Sequence, residues 1–419
     1  MTEEAPGWTS LSRSSIGAKE VPGNFTPIPF AYHEEIELSV ENLTNLGLGV
    51  GRVKGWVVLL PFVLKGECVR ARIFKNHKNY SEADLLEVLE SSPYRREAKC
   101  PLFGLCGGCQ YQHIAYEEQR RIKQQQIREF FHRSGWTDIE VPLPLSGEEW
   151  AYRTKLTPHF QKPKAANFPI GFLRRGSRRA LVDIPHCPIA TEAINESLHQ
   201  ARSEIRSKSS YRRGQTLLFR DIDGRVCRDP RRLVEQQLDS LVFSFRAGGF
   251  FQNNAQVLPP MLRYIARKVS EGSSADFLID AYGGVGVFAL SAAASFQEVM
   301  GIEIDEDAVA LARRNAEQNQ IRNASFVRGS AEAIFEKIRF PADRSVVIID
   351  PPRRGCNPTF LQQLLRFHPR KIISISCEPS TQIRDLRELL QDYRLHELQP
   401  FDLFPQTRHI ENIAVLGRD

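Results

Sequence analysis

Cys377 and Glu411 are the two side chains in this sequence whose meeting would matter most. Ser374-Ile375-Ser376-Cys377-Glu378-Pro379 puts the cysteine at the end of an apolar run, the pattern of a buried strand. A lone cysteine there usually fills a small core space, whereas a thiolate at an electropositive sheet edge is a nucleophile. Phe404-Pro405-Gln406-Thr407-Arg408-His409-Ile410-Glu411 carries a carboxylate, which either faces water or takes a proton beside that thiol. Ile349-Asp350-Pro351-Pro352-Arg353-Arg354-Gly355 ends another apolar run. Its two prolines lack N–H donors and stiffen the loop, so Asp350 sits on a rigid wall suited to a flat base.

Two further groups look like binding sites. Leu278-Ile279-Asp280-Ala281-Tyr282-Gly283-Gly284-Val285-Gly286-Val287 runs from a strand through glycines into a helix, and Glu303 ends the next strand. Glycines admit a ligand close to the backbone, and an acid at that strand end can accept ribose hydroxyls. The spacing differs from a dinucleotide fingerprint, so a nucleotide cofactor of another kind is expected. Cys100, Cys106 and Cys109 lie close together among Gly and Pro, and Cys187 follows at a distance. Four thiols suit either zinc or an iron–sulfur cluster, and spacing alone leans to zinc. Cys68, Cys227 and Cys356 read as packing residues.

The first three segments share one chemistry. Carbon 5 of uracil is a weak nucleophile, but a thiolate added to carbon 6 pushes electron density onto it. A base must then remove the carbon 5 proton. Cys377 and Glu411 are the groups that scheme requires.

The elements that position them are an α/β assembly. From Gly248 to the C-terminus, strand-like runs at Phe277, Val299, Ala324, Val346 and Ile372 alternate with helices, which predicts a doubly wound, Rossmann-like parallel sheet over residues 248–419. Runs near Leu395 and Ile413 have only a loop between them and should pair antiparallel, giving seven strands. Residues 33–93 carry short alternating runs, with Gly47, Gly49 and Gly51 read as turns, and predict a small OB-like β-barrel. Residues 94–247 contain the cysteines, a polar helix from about Ile114 to Arg133, and mixed strands and loops, read as a central α+β RNA-binding domain. Residues 1–32 read as a flexible extension.

Composition narrows the classes. The chain has 419 residues, 42% apolar and 25% charged, with a net charge of +6. No apolar run is long enough for a membrane span, and the N-terminus lacks a signal core. A reducing, cytoplasmic setting with free thiols is expected, with no membrane association and no obligate protein partner indicated. Between Ala151 and Arg232 there are 18 Lys or Arg against 7 Asp or Glu, a concentration that suits phosphate groups.

Together these motifs resemble the RNA 5-methyluridine methyltransferases, over roughly Glu35 to Asp419. The matching pieces are Cys100/Cys106/Cys109 with Cys187, Tyr152-Arg153-Thr154-Lys155, Gly249-Phe250-Phe251-Gln252, Asp350-Pro351-Pro352-Arg353-Arg354-Gly355, Ser376-Cys377 and Pro405 to Glu411. The resemblance implies a TRAM-type barrel and a central domain with a four-iron, [4Fe-4S] cluster, tipping the metal from zinc to iron. It also implies a C-terminal S-adenosylmethionine-dependent methyltransferase. By resemblance, Cys377 is the nucleophile, Glu411 the base, and Gln252, Tyr282, Val287, Glu303, Ser330 and Asp350 contact the cofactor. Barrel and cluster together look like members that modify 23S ribosomal RNA. Transfer RNA is the alternative substrate, and a non-catalytic RNA-binding paralogue is a further alternative. Three positions depart from the family pattern: Gly283 in place of Cys, Val287 in place of a small polar residue, and Glu378 in place of Asn. Glu378 is expected to raise the Cys377 pKa by its charge. An RNA 5-methylcytosine methyltransferase would carry a cysteine after the prolines of the acidic loop, where Arg353 stands.

Overall fold

The computed structural model describes residues 21–162, 168–207, 213–272, 275–330, 335 and 338–418. They fall into two compact units: the first closes at Pro93, and the second takes Asn45–Gly47 and the chain from Tyr94 onward.

The first unit is a closed barrel of β1 (Glu35–Leu43), β2 (Leu48–Val53), β3 (Trp56–Pro61), β4 (Cys68–Asn76) and β5 (Tyr80–Glu90), in the order β1-β2-β3-β5-β4. Alternation along β1 points Ile36, Leu38 and Val40 inward, where they meet Val58, Leu60, Val69 and Ile73. Gly49 and Gly51 are strand residues within β2 and not turns. A Cβ on Gly49 would lie 2.1 Å from Val63 and one on Gly51 2.5 Å from Leu38, so close packing requires both glycines.

The second unit begins with the polar helix α1 (Tyr116–Arg133), which buries Ile127 and Phe131, and a two-residue strand β6 (Leu145–Ser146). Short strands follow around helix α2 (Glu192–Ser207), whose Ile194, Leu198 and Ala201 pack against Leu156 and Phe219. A hairpin of β7 (Leu233–Leu238) and β8 (Leu241–Arg246) places Phe243 and Phe245 in the core shared by helix α3 (Leu258–Ser270) and the main sheet.

That sheet comprises β9 (Phe277–Asp280), β10 (Glu298–Glu303), β11 (Ala324–Arg328), β12 (Ser345–Ile349), β13 (Lys371–Ser376), β14 (Arg394–Asp402) and β15 (Glu411–Gly417). It has eight strands, ordered β11-β10-β9-β12-β13-β15-β14-β6, and not the seven expected. The extra strand is β6, parallel to β14 through Leu145 and Ser146; two residues are too few to show a period. β9 to β13 run parallel, and β15 is antiparallel to both β13 and β14. Successive residues feed opposite faces: Leu278, Val346 and Ile348 join one core, and Ile279, Val347 and Ile349 the other. Burial on both faces explains the unbroken apolar runs. Helices α4 (Val287–Ala292), α5 (Glu306–Gln318), α6 (Pro358–Phe367) and α7 (Pro379–Leu389) follow β9, β10, β12 and β13. The helix expected between β11 and β12 falls largely on residues 331–334 and 336–337, outside the described residues, as does most of the N-terminal extension. No described helix is long and apolar enough to cross a membrane.

Candidate active site

Strand order reverses at β9, which has β10 on one side and β12 on the other. Crevices at such a point, outside the strands' carboxyl ends, are where open α/β sheets bind ligands. A cavity of about 570 Å³ opens there, lined by Tyr282, Glu303, Ile304, Ser330, Pro352 and Cys356 among others.

Each wall has a local cause. Gly286 caps the start of α4 at φ +87°, where a Cβ would come 2.9 Å from Phe326. Only glycine takes that conformation and that contact cheaply. Glu303 is fixed by backbone donors: Gly284 N–H reaches Oε2 at 3.0 Å, while Ile304 and Asp305 N–H reach Oε1 at 2.7 and 3.0 Å. On the opposite wall, Asp385 accepts the Cys356 N–H at 2.7 Å, and Arg384 donates to the carbonyls of Arg354 and Cys356. Asp280, fully buried below the cavity, accepts the Ala289 N–H at 3.2 Å through Oδ2, while Oδ1 has no partner.

The candidate reactive groups are placed by strand register. Ser376 pairs with Asn412 across β13 and β15, so the next positions, Cys377 and Glu411, lie side by side at the sheet edge. Asp350 follows β12, the other neighbour of β13. Burial raises the Cys377 thiol to about 11; the Glu411 and Asp350 carboxylates add to the rise and the Arg353 guanidinium opposes it. Glu411 is 5% exposed, and burial, helped by Asp350, holds its carboxyl well above the usual range. Burial takes Asp350 to about 7, with Asp280 contributing. His409 is pushed down to about 3 by burial and by Arg353, Arg408 and Lys123, so it stays neutral.

The charge expected of Glu378 acts elsewhere. Its carboxylate accepts from Ser380 Oγ at 3.0 Å, and the acids that raise Cys377 are Glu411 and Asp350. Of the other residues singled out by sequence, Tyr282, Glu303 and Ser330 line the large cavity. Gln252 lines a separate cavity of about 10 Å³, and Val287 packs partly buried against the core at the start of α4.

Sequence reasoning passed over the pinning of the Gly248–Asn253 loop. Lys155 Nζ donates to the carbonyls of Gly248 and Gly249 at 2.8 and 2.9 Å. The buried Arg220 reaches Ala247 O, Gly249 O and Asn253 Oδ1, each at 3.2 Å. The loop so held presents Phe250 with 79% of its surface exposed. Arg220 and Arg202, which pairs with Asp183 at 2.6 Å, are thus internal. Arg174, Arg175, Arg178, Arg179, Arg231 and Arg232 keep the exposure expected of a basic surface.

Cys100, Cys106, Cys109 and Cys187 line one further cavity of about 160 Å³, with Phe103, Phe172 and Ile189. Side chains hold its rim: Gln112 accepts the Cys100 N–H at 2.9 Å and Asn195 the Cys187 N–H at 2.8 Å. Among the described residues, no group of three or more His, Cys, Asp or Glu is arranged to hold a metal ion.

The fold agrees with the comparisons to known proteins. Residues 231–419 match the tRNA (uracil-5-)-methyltransferase family model, and residues 33–86 the TRAM domain. The chain belongs to the tRNA (uracil-5-)-methyltransferase family, whose members are S-adenosylmethionine-dependent RNA methyltransferases. It is 38% identical to the tRNA (uracil(54)-C(5))-methyltransferase of Schizosaccharomyces pombe, over 93% of this chain and 80% of that one. It is 31% identical to the enzyme of the same name from Saccharomyces cerevisiae, over 94% and 75% of the two chains. The crystal structure of Pyrococcus abyssi tRNA (uracil-54, C5)-methyltransferase, in complex with S-adenosyl-L-homocysteine, shares the fold with a TM-score of 0.69 at 22% identity. That match covers 91% of this chain and all (100%) of the other.

Proposed function

We propose that this chain methylates carbon 5 of a uridine in transfer RNA, with Cys377 as nucleophile and Glu411 as base. The observation that carries the reading is the adjacency of Cys377 and Glu411 across β13 and β15, beside Asp350. Cys377 loses its proton to solvent, the Arg353 guanidinium favouring the thiolate, and the thiolate adds to carbon 6 of the uracil, so that carbon 5 becomes nucleophilic. Bound S-adenosylmethionine supplies the electrophilic sulfonium methyl. Glu411 then removes the proton from carbon 5, and the thiolate leaves carbon 6 as the ring regains its double bond. Tyr282, Glu303 and Ser330 hold the cofactor in the large cavity, where the paired backbone donors pre-orient the Glu303 carboxylate for ribose hydroxyls. Asp350 faces the base from its proline-stiffened loop, and Gln252 and Val287 are assigned to the same cofactor by family position. Phe250, exposed on a pinned loop, offers an aromatic face on which a nucleobase stacks.

Transfer RNA is favoured over 23S ribosomal RNA because two relatives above 30% identity carry tRNA (uracil(54)-C(5)) in their names. The ribosomal reading rests on the joint presence of a barrel and a cysteine set. For that set a four-iron cluster held by Cys100, Cys106, Cys109 and Cys187 is proposed. Their shared cavity is roomier than one tetrahedral ion needs. Anaerobically purified protein should be brown and contain iron; colourless protein with zinc would refute the cluster alone.

The function is tested with RNA carrying 5-fluorouridine. Fluorine at carbon 5 cannot leave as a proton, so the wild-type protein with cofactor should become covalently attached, and Cys377→Ala should not. No attachment, or equal attachment by Cys377→Ala, would overturn the reading. Nucleoside mass spectrometry of a deletion strain assigns the substrate, since 5-methyluridine should vanish from transfer RNA and persist in ribosomal RNA.

A further inference from the structure

Gln406 is fully buried and uses its hydrogen-bonding groups at both ends. Its side-chain oxygen accepts from Gln119 Nε2 at 3.0 Å and Arg96 Nη2 at 3.2 Å. Its side-chain nitrogen donates to Glu149 Oε2 at 3.0 Å. Its backbone N–H donates to Gln119 Oε1 at 3.0 Å. Its carbonyl accepts two amides, Gln110 N at 3.1 Å and Tyr111 N at 3.0 Å. Its backbone sits at φ +67°, a left-handed conformation that costs a glutamine free energy and persists only where surroundings over-determine it.

This residue lies five positions before Glu411, and the intervening turn is tied to it. Thr407 Oγ1 donates to Phe404 O at 2.8 Å and accepts the His409 N–H at 3.2 Å. Arg408 N–H reaches Gln110 Oε1 at 3.3 Å. Gln110 and Tyr111 continue directly from Cys109, and the next residue, Gln112, accepts the Cys100 N–H at 2.9 Å. One short stretch, Cys109–Gln112, therefore ends a cysteine loop and clamps the segment that carries the base.

We propose that Gln406 is a positioning residue for Glu411, and that through Gln406 the order of the Cys100–Gln112 loop controls the proton-abstraction step. This rests on Glu411 being the base. The proposal separates two halves of the reaction. Thiol addition and methyl transfer need Cys377, which β13 positions without this clamp. Proton removal needs Glu411, which depends on it.

Gln406→Gly removes the side-chain bonds and is at ease at positive φ; Gln119→Met removes the partner from the helix side at similar volume. Each should slow turnover of ordinary RNA by about tenfold or more at unchanged KM, because the lost interaction acts after binding. A methylated protein–RNA adduct should accumulate, since its breakdown needs the base. The rate of covalent capture of 5-fluorouridine RNA, which needs no base, should stay within about threefold of wild type. In the full chain, Cys109→Ser should speed hydrogen exchange over residues 404–411 while leaving β1 to β5 unchanged. Parallel loss of capture and turnover would mean general disruption and overturn the proposal. So would unchanged turnover in both variants, or unchanged exchange in Cys109→Ser. Failure of wild-type protein to capture 5-fluorouridine RNA instead removes the nucleophile and base assignment beneath it.

Discussion

The second unit holds two groups of reactive side chains, built in opposite ways. At the sheet edge, Asp350, Cys377 and Glu411 stand at the ends of neighbouring strands, and the ladder between β13 and β15 sets their spacing. Around the cysteine cavity, thiols from positions 100 to 187 converge from loops, tied by isolated backbone bonds such as the Cys106–Arg174 bridge and by side chains such as Gln112 and Asn195. A ladder shares its load over many consecutive backbone bonds, whereas a loop tied at scattered points depends more on each one. The edge should therefore tolerate change around its strands and fail when its reacting groups, or the Gln406 clamp beside Glu411, are altered. The cavity should fail through its supports.

Glu411→Gln carries the largest expected effect. The amide keeps the shape and loses the base, so turnover should fall by about 10²–10⁴-fold. Thiol addition and methyl transfer persist, so gel electrophoresis should show RNA bound covalently to protein, carrying label from the cofactor methyl. Free methylated product formed at the wild-type rate would assign the base elsewhere and break the comparison at its stronger end.

Asn195→Leu tests the other end. Asn195 is 4% exposed; it accepts the Cys187 N–H at 2.8 Å and donates to the Cys187 and Ala190 carbonyls at 3.2 and 3.4 Å. Leucine removes the partner of the Cys187 N–H, while the Cys187 carbonyl keeps the Ala190 N–H at 3.0 Å; a buried donor left unpaired costs about 1–3 kcal/mol. Iron retained after anaerobic purification should drop by more than about half while the barrel keeps its fold. Full iron occupancy would show that the cavity is as well supported as the edge.

How legible each region was follows from the same contrast. Apolar runs ending in Asp350 and Cys377 marked the strands, and the loop before Glu411 was too short for a crossover helix, so the adjacency at the edge could be read before any coordinates. β6 could not, because two residues carry no period and its partner lies 256 positions away, from Leu145 to Phe401. Gly49 and Gly51 were misread because a glycine required by close packing looks like a glycine required by a turn. The role of Gln406 was hidden for another reason: its partners, Arg96, Gln110, Gln119 and Glu149, share no pattern with it. The charge ascribed to Glu378 was misplaced because sequence adjacency says nothing of where a carboxylate turns.

Smaller effects should appear in pH dependence. Burial takes both Asp280 and Asp350 from an ordinary 3.8 to about 7. Between those values the folded, ligand-free chain holds more protons than the unfolded one. The stability contributed is complete below the unfolded value and is lost as pH rises through the folded one. Calorimetry from about pH 5 to about pH 8 should show Tm of wild type falling more steeply than that of Asp350→Asn, by several degrees. A cationic sulfonium relieves the repulsion among these carboxylates, so S-adenosylmethionine should gain affinity over its neutral thioether product as pH rises. Equal pH slopes for variant and wild type would remove Asp350 from that group.

The least effect is expected at Gly283, where the family pattern has cysteine. Its backbone needs no left-handed conformation, and a Cβ there would meet Ile302 N at 3.3 Å and Gly301 Cα at 3.4 Å. Those contacts are tight but close on backbone that need move only a few tenths of an ångström. The Gly283 N–H already bonds Ile302 O at 2.8 Å, which fixes the loop without help from a side chain. Gly283→Ala should therefore change stability by less than about 1 kcal/mol, the lost clearance being offset by reduced freedom in the unfolded chain. Turnover should stay within about threefold of wild type. A loss of cofactor affinity of about tenfold, measured by calorimetric titration, would show that this wall works by clearance. The edge would then depend on its surroundings as closely as the cysteine cavity does.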